Sequence, residues 1–420
     1  MKKILLASIV FGLFLCASSF NLYASEEKPI GEDLSQLIDI AKKENPDLKS
    51  LQSKVAAMEA RIVQEKSLDD PTFKIELEDL NKNSFNISPS RSMLTKYTIS
   101  QMFPFFGKLK LKGEMASAEA KASAEESKDR ELEITAMVKS MYYELYFVTQ
   151  SILITSGLKD LVSEMEKIAS VKYQTGRVSQ QDIIKAQVEL SMFANELITL
   201  NSEKRIVKAK LNTILNRPPD ALLSEPKRIK KDKIELKLED LTEKAIKQNP
   251  MLRAALYEIE ANQAGYKLAK KTYLPDFMIG YAPIQRGREY SAYDLMFGFN
   301  IPIWIGKNQG KIKEAFAKLE SARSKLASLK NSIKYEIEQG IIKIDTASRI
   351  IDLYKTSLVP QAELSFKSAI VGYETGKVDF LSLLETERVL KDTKIKYIKA
   401  VTDYQIRVAE LERFVGEEFK

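Results

Sequence analysis

The two side chains most used for nucleophilic relays and transition-metal sites, histidine and cysteine, are nearly missing from this chain of 420 residues. It holds no histidine and a single cysteine, Cys16. That removes Ser-His-Asp and Cys-His nucleophilic systems, and with them His-based zinc sites. The segment "GKNQGK" at Gly306 has one residue too few between its glycines for a Walker-type phosphate loop. It also lacks the Ser or Thr and the strand-to-helix setting that such a loop needs. Acid pairs such as "EES" and "DRELE" sit among countercharges on helix-forming stretches and read as solvated faces. No enzyme, no cofactor and no resident metal is expected. The formal charge of +7 comes from 65 basic and 58 acidic residues interleaved along the chain. It therefore gives no separate basic patch for nucleic acid.

The distinctive charged stretches are two copies of one turn. "YQTGRVSQQDII" runs from Tyr173 to Ile184, and "YETGKVDFLSLL" from Tyr373 to Leu384. The elements around them repeat as well. "AKKENPDL" at Ala41 is echoed by "AIKQNPML" at Ala245, "LDDPTFKI" at Leu68 by "TYLPDFMI" at Thr272, and "FPFFGKLK" at Phe103 by "IPIWIGKNQGK" at Ile301. The chain reads as a tandem internal duplication. Each half runs helix, short strands, very long helix, tight turn, helix.

No proline lies between Pro104 and Pro218. Residues 107–172, if helical throughout, span about 100 Å at roughly 1.5 Å per residue. Such a helix is a rod and must be held by neighbouring helices. The return helix carries two heptad seams. Ile183, Leu190, Leu197 and Leu211 form one, broken at Lys204. Ala186, Phe193, Leu200, Val207 and Ile214 form the other. Leu383, Leu390, Tyr397, Tyr404 and Leu411 repeat the pattern in the second half. Gly176 and Gly376 then close two helical hairpins, because glycine supplies the left-handed conformation that ends a helix. Pro360 predicts a kink or local unwinding.

Period-two stretches place Phe73, Ile75 and Leu77 opposite Lys74 and Glu76. They place Tyr97, Ile99 and Phe103 opposite Thr98, Ser100 and Met102. In the second half Phe277, Ile279 and Tyr281 oppose Met278, Gly280 and Ala282. Tyr293, Leu295, Phe297, Phe299 and Ile301 oppose Asp294, Met296, Gly298 and Asn300. Taken alone, such strands fit a small soluble sheet or a membrane barrel. The start of the chain favours the membrane: "MKK", then "ILLASIVFGLFLCASSF", then "NLYASEEK" reads as a secretory signal peptide cut after Ala24. Lipid attachment at Cys16 is the alternative, opposed by bulky Leu15. Cleavage removes Lys2 and Lys3, so the charge falls from +7 to +5, and no disulfide remains possible. Four strands cannot close a barrel, and open edges are not tolerated in lipid. The chain is expected to pool strands with copies of itself, eight in a dimer or twelve in a trimer. Gly280 and Gly298 on the inner face suit either.

With duplicated strand-strand-long-helix halves, the paired turns Tyr173–Val178 and Tyr373–Val378, and "LVPQAELSFKSAIVGYETGKVDFLSLLETERVL", the chain resembles the TolC-type outer-membrane efflux family. The resemblance covers about residues 34–415. It implies a mainly α fold with a small transmembrane β part: a trimeric 12-stranded β-barrel continuing into a long periplasmic α-helical barrel. It divides the chain into a signal peptide (1–24), an N-terminal equatorial helix region (25–70), a first strand pair (71–104) and a first long hairpin (105–216, tip 173–178). An equatorial segment with the second-repeat helix (217–274), a second strand pair (275–304), a second hairpin (305–415, tip 373–378) and a C-terminal tail (416–420) follow.

The function implied is a passive exit duct of a tripartite efflux system, in the outer membrane with a periplasmic helical portion. Its partners would be two further copies, a periplasmic adaptor, an inner-membrane pump and outer-membrane lipid, with no nucleic acid. Tyr173, Thr175, Gly176, Arg177 and Val178, with Tyr373, Thr375, Gly376, Lys377 and Val378, would be the adaptor-docking tips. Glu385 matches an acidic pore-mouth position of the family, with Asp379 and Asp182 as further candidates. Ser382 stands where a second acid is common. The structural alternatives are a solvated charge for Glu385, helix-dipole partners for Arg177 and Lys377, and packing across the hairpin base for the two tyrosines. A duct of a type I protein secretion system, and a secreted coiled-coil structural protein, are the alternative functions. The cargo is not readable.

Overall fold

The structure is a computed structural model that describes residues 30–78, 80, 89, 92–229 and 236–419. The segment expected to be a signal peptide, with Cys16, lies outside the described residues, as does Lys420 of the tail. The first half contains α1 (Leu34–Glu44), α2 (Pro46–Lys66), β1 (Thr72–Glu78), β2 (Leu94–Phe103), α3 (Lys108–Gln174) and α4 (Gln180–Ile214). The second repeats the order with α5 (Leu238–Gln248), α6 (Pro250–Lys270), β3 (Phe277–Arg286), β4 (Glu289–Phe299), α7 (Ile305–Leu353), α8 (Val359–Glu374) and α9 (Phe380–Val415). No described helix is long and apolar enough to cross a membrane.

One rod organises the first half. Helix α3 has 67 residues, about 100 Å at the usual rise. Its lower part buries Ile134, Val138, Tyr142 and Leu145 against α1 and α4. Further along, Leu158, Val162, Met165 and Ala169 are buried against the second hairpin. Spacings of three and four keep these residues on one stripe. Near its start α3 buries Ala116, Ala118 and Ala120, small residues that let α2 and α6 lie close. The matching helix of the second half is interrupted. Residues Tyr354–Leu358 form a π turn, and Val359 N–H donates to Tyr354 O five residues back. Pro360 follows immediately. Its ring cannot face the carbonyl four residues earlier, so the wider turn accommodates it.

A repeated dipeptide anchors the middle of the rod. Asn45 caps α2, accepting from Asp47 N at 3.0 Å, and its Nδ2 donates to Ile214 O at the end of α4, 2.9 Å away. Asn249 caps α6, accepting from Leu252 N at 3.1 Å, and its Nδ2 donates to Phe414 O at the end of α9, also 2.9 Å away. Pro46 and Pro250 then open their helices at positions where no N–H is needed. One Asn-Pro pair thus starts one helix and closes another, once in each half.

The four strands form one antiparallel sheet in the order β1-β2-β3-β4. The register aligns Phe73 with Ile99, Ile99 with Tyr281 and Tyr281 with Leu295, and it aligns Phe103, Phe277 and Phe299. One face is therefore apolar from edge to edge and exposed, with Phe73 61%, Leu295 60% and Phe297 77% accessible. On the other face Lys96 reaches Glu78 at 3.5 Å and Asp294 at 3.6 Å, and Gly280 and Ala282 are buried. β1 and β4 each pair on one side only among the described residues. Asp276 locks the sheet to the rod: its Oδ1 accepts from Phe105 N and Lys108 Nζ, both at 2.7 Å.

Candidate functional site at the hairpin tips

Both turns close by the same hydrogen bonds. In the first, Gly176 N–H donates to Tyr173 O and Arg177 N–H to Lys172 O, both at 2.9 Å. In the second, Gly376 N–H donates to Tyr373 O at 3.1 Å and Lys377 N–H to Gly372 O at 2.8 Å. This six-to-one and five-to-two pairing requires a left-handed residue. Gly176 (φ 69°) and Gly376 (φ 77°) supply it, with open space around both. The threonines before them fold back on the helix end: Thr175 Oγ1 donates to Lys172 O at 2.9 Å and Thr375 Oγ1 to Val371 O at 2.9 Å.

Exposed tip residues are Tyr173, Thr175, Gly176 and Arg177 in the first turn and Thr375, Gly376 and Lys377 in the second; Val178 and Val378 are half-buried. The two tyrosines differ. Tyr173 is 45% exposed and Tyr373 only 3%. The Tyr373 ring packs edge-on against Phe380 with centroids 5.2 Å apart, and Lys172 of the first hairpin stands 4.5 Å from its centre. Lys172 Nζ also donates to Tyr373 O. Burial, and next the Asp182 carboxylate, push the Tyr373 phenol up to about 12. Tyr373 thus joins the two hairpins, and its ring is not presented to a partner.

The acidic candidates separate in the same way. Asp379 caps α9, accepting from Ser382 N at 2.7 Å, and that backbone hydrogen bond holds its carboxyl below the usual range. Asp182, in the first turn of α4, is half-buried near Tyr373. Glu385 is exposed, with the charge of Arg388 nearby. Ser382 spends its N–H on the Asp379 cap.

A denser charge cluster lies two to three turns farther from the tips. Arg388 of α9 reaches Glu189 of α4 through both ends of its guanidinium, Nε to Oε1 at 3.3 Å and Nη2 to Oε2 at 2.5 Å. Lys391 of α9 bonds Glu196 of α4 at 2.9 Å and lies 4.9 Å from the centre of the Phe193 ring. Between these pairs Glu387 is fully buried, and neither carboxylate oxygen has a hydrogen-bond partner among the described residues. Sequence reasoning passed over Glu387 and Glu189. The signal was present, since Glu387 follows Leu383 by four and precedes Leu390 by three, and Glu189 follows Ala186 by three and precedes Phe193 by four. Both are seam positions occupied by a carboxylate.

A second missed cluster fastens the C-terminal end of α9 to α3. Lys139 and Glu412, both about nine-tenths buried, meet at 2.7 Å. Arg413 reaches Glu133 at 3.4 Å and Asp129 at 3.7 Å. Burial raises the Asp129 carboxyl, with Arg413 opposing.

A family model described as "outer membrane efflux protein" matches residues 37–217 and 241–417. The cobalt-zinc-cadmium resistance protein CzcC of Cupriavidus metallidurans is 21% identical over 295 residues, 68% of each chain. The outer membrane protein VceC of Vibrio cholerae superposes with a TM-score of 0.79 at 17% identity, covering 92% of this chain and 97% of that one. The open state of the Neisseria gonorrhoeae MtrE outer membrane channel gives 0.79 at 15% identity, covering 93% and 90%.

Proposed function

The chain belongs to the outer membrane efflux protein family, and from that premise we propose that three copies form one passive duct. Its place is the outer membrane, with the helices in the periplasm, and the family fold is that of a channel and not of an enzyme. The observation that carries the trimer reading is the sheet. It has an apolar exposed face, a polar and small-residue opposite face, and two edges free among the described residues. In lipid those edges must pair. Pairing β4 of one copy with β1 of the next closes a ring head to tail, and three copies give twelve strands, wide enough for water.

The helices support the same closure. Helix α4 exposes Ile184, Val188, Met192 and Ile198, while α7 and α8 expose Tyr335, Ile342, Leu353 and Leu364. Two such exposed stripes suit a neighbour-to-neighbour contact. In this reading the tips dock on a periplasmic adaptor through Thr175, Gly176, Arg177, Thr375, Gly376 and Lys377, with Tyr173 and Val178 at the margin and Tyr373 and Val378 shaping the turn. Glu385 would face the mouth, where three copies attract cations. Energy and cargo selection then fall to a pump in the inner membrane.

The test is the mass of the detergent-extracted protein by light scattering, corrected for bound detergent, together with conductance in a planar bilayer. Three chains and an ion-conducting pore are expected. A water-soluble monomer, or a trimer that never conducts, would overturn the duct.

A further inference from the structure

Glu387 is the one residue among the described positions with a fully buried carboxylate and both oxygens unbonded. Its surroundings make that costly. From α4 it faces Glu189 and Glu196, and from its own helix Arg388 and Lys391. Both cations are committed elsewhere, Arg388 to Glu189 and Lys391 to Glu196. The other elements on this core bring charges that are already engaged: Glu166 of α3 accepts from Gln187 at 3.4 Å, and Glu363 of α8 pairs with Lys394 at 2.7 Å. An ionised carboxylate here is closed off from bulk solvent and has no hydrogen-bond donor among the described residues. Protonated, it is a neutral group among Leu383, Leu384, Leu390 and Phe193.

The location gives that proton a mechanical consequence. Glu387 sits on the seam between the two hairpins, seven residues into α9, roughly 10 Å from its start near the tip. Helices α4 and α9 approach each other closely at few places, and the two ion pairs are their main polar ties. A groove of about 550 Å³ runs beside them, lined by Met192 and Val389 among others, so water has a route in once the helices part. The equivalent position of the first hairpin, 200 residues earlier, is the uncharged Gln187.

We propose that Glu387 is a proton-operated latch on the α4–α9 seam: protonated, it lets the two helices pack above the tips, and ionised, it drives them apart and admits water. The inference rests on the duct reading and adds its regulation, since this seam lies beside the pore mouth. The direction follows from linkage. Burial first, and the Glu189 carboxylate second, push Glu387 up to about 7 from 4.5. The packed seam is unpenalised below pH 4.5, loses favour as pH rises from there, and carries the whole penalty above about 7. Solvent entry will cut the full difference of those two values, so the packed-to-parted ratio should fall about tenfold or more between pH 5 and pH 8.

Spin labels at Met192→Cys and Val389→Cys, in a Cys16→Ser background, would report the seam in the purified full assembly. Both side chains are exposed. The distance should lengthen as pH rises from 5 to 8, and Glu387→Gln should hold it at the low-pH value throughout. Glu189→Gln, which removes the like charge, should move the midpoint to lower pH. An unchanging distance in the protein without these substitutions overturns the latch whatever the variants do. An unchanged pH response in Glu387→Gln assigns it elsewhere and overturns it too. Conductance recorded alongside separates the two readings: a pore that conducts without pH response defeats the latch alone, and absence of conductance at every pH defeats the duct.

Discussion

Lys139 and Glu412 offer a sharp test of what holds the C-terminal end of α9 to α3. The pair meets at 2.7 Å with each side chain about one-tenth exposed. Breaking a buried pair by deleting one partner costs about 3–5 kcal/mol, because the survivor keeps its desolvation penalty. Here each survivor has a second contact. Glu412 Oε1 still accepts from Phe419 N at 2.8 Å, and Lys139 still lies 3.4 Å from Glu418, which is exposed and weakens the contact. The lower end of that range, about 3 kcal/mol, is therefore expected for Lys139→Met and for Glu412→Leu alike. The double variant leaves no orphan charge and returns two apolar side chains to a site beside Val138 and Leu411, both buried. It should fall within about 1 kcal/mol of the parent, since apolar replacement of a whole buried pair is often neutral. Helix content at 222 nm against urea, in detergent, gives the four midpoints of the cycle. If the double variant loses the sum of the single losses, the two side chains act independently and the buried-pair reasoning is wrong.

Three further outcomes are expected. Gly376→Ala should destabilise the second hairpin by about 1–2 kcal/mol, from left-handed strain alone because the space is open; Gly376→Asn should cost less, and hydrogen exchange in the last turn of α8 would rank them. Asn45→Ala and Asn249→Ala should each cost about 1–2 kcal/mol, since each removes a helix cap and a bond to a distant helix end; urea midpoints check this. Charge reversal at both Arg177 and Lys377 should reduce efflux in cells while leaving the amount of trimer in the membrane unchanged, and loss of the trimer would assign these side chains to folding instead.

Much of the frame was legible because it is repeated and periodic. Duplicate Asn-Pro pairs, duplicate turns and period-two strands each carried their geometry in a few residues, and local physics was enough to read them. Lys204 shows the limit. It broke a heptad seam in the sequence, and the structure pairs it with Glu225 at 2.5 Å, a residue from the segment after α4 that no local rule could bring there. Asp276, Lys139 and Glu387 were missed for a related reason. Each charge draws its meaning from a partner, or from a missing one, on another element, and interleaved charge on helices reads as a solvated face until the packing is known. The turns themselves were read as equivalent, yet Tyr173 is exposed and Tyr373 is buried, because only the second tyrosine has Phe380 and Lys172 to close over it.

That difference between the copies extends beyond the tip. Helix α3 is one uninterrupted rod, while its counterpart is divided by the π turn at Tyr354–Leu358. On the other arm of the second hairpin, just past the tip, the carboxyl of Glu387 takes the place that Gln187 holds in the first. A helix with uniform i-to-i−4 bonding resists bending along its length. A π turn beside proline concentrates bending at one point, because the ladder there is already interrupted. A bend at the π turn, which reaches the seam through α8, the tip and the first turns of α9, would let α9 move relative to α4 without disturbing the Asn249 anchor at the far end of α9. Duplication supplies two hairpins of one shape, and three local departures from the repeat, Pro360, Tyr373 and Glu387, all fall in the second. On the proposed latch, the first hairpin serves as the strut and the second carries the parts that would move.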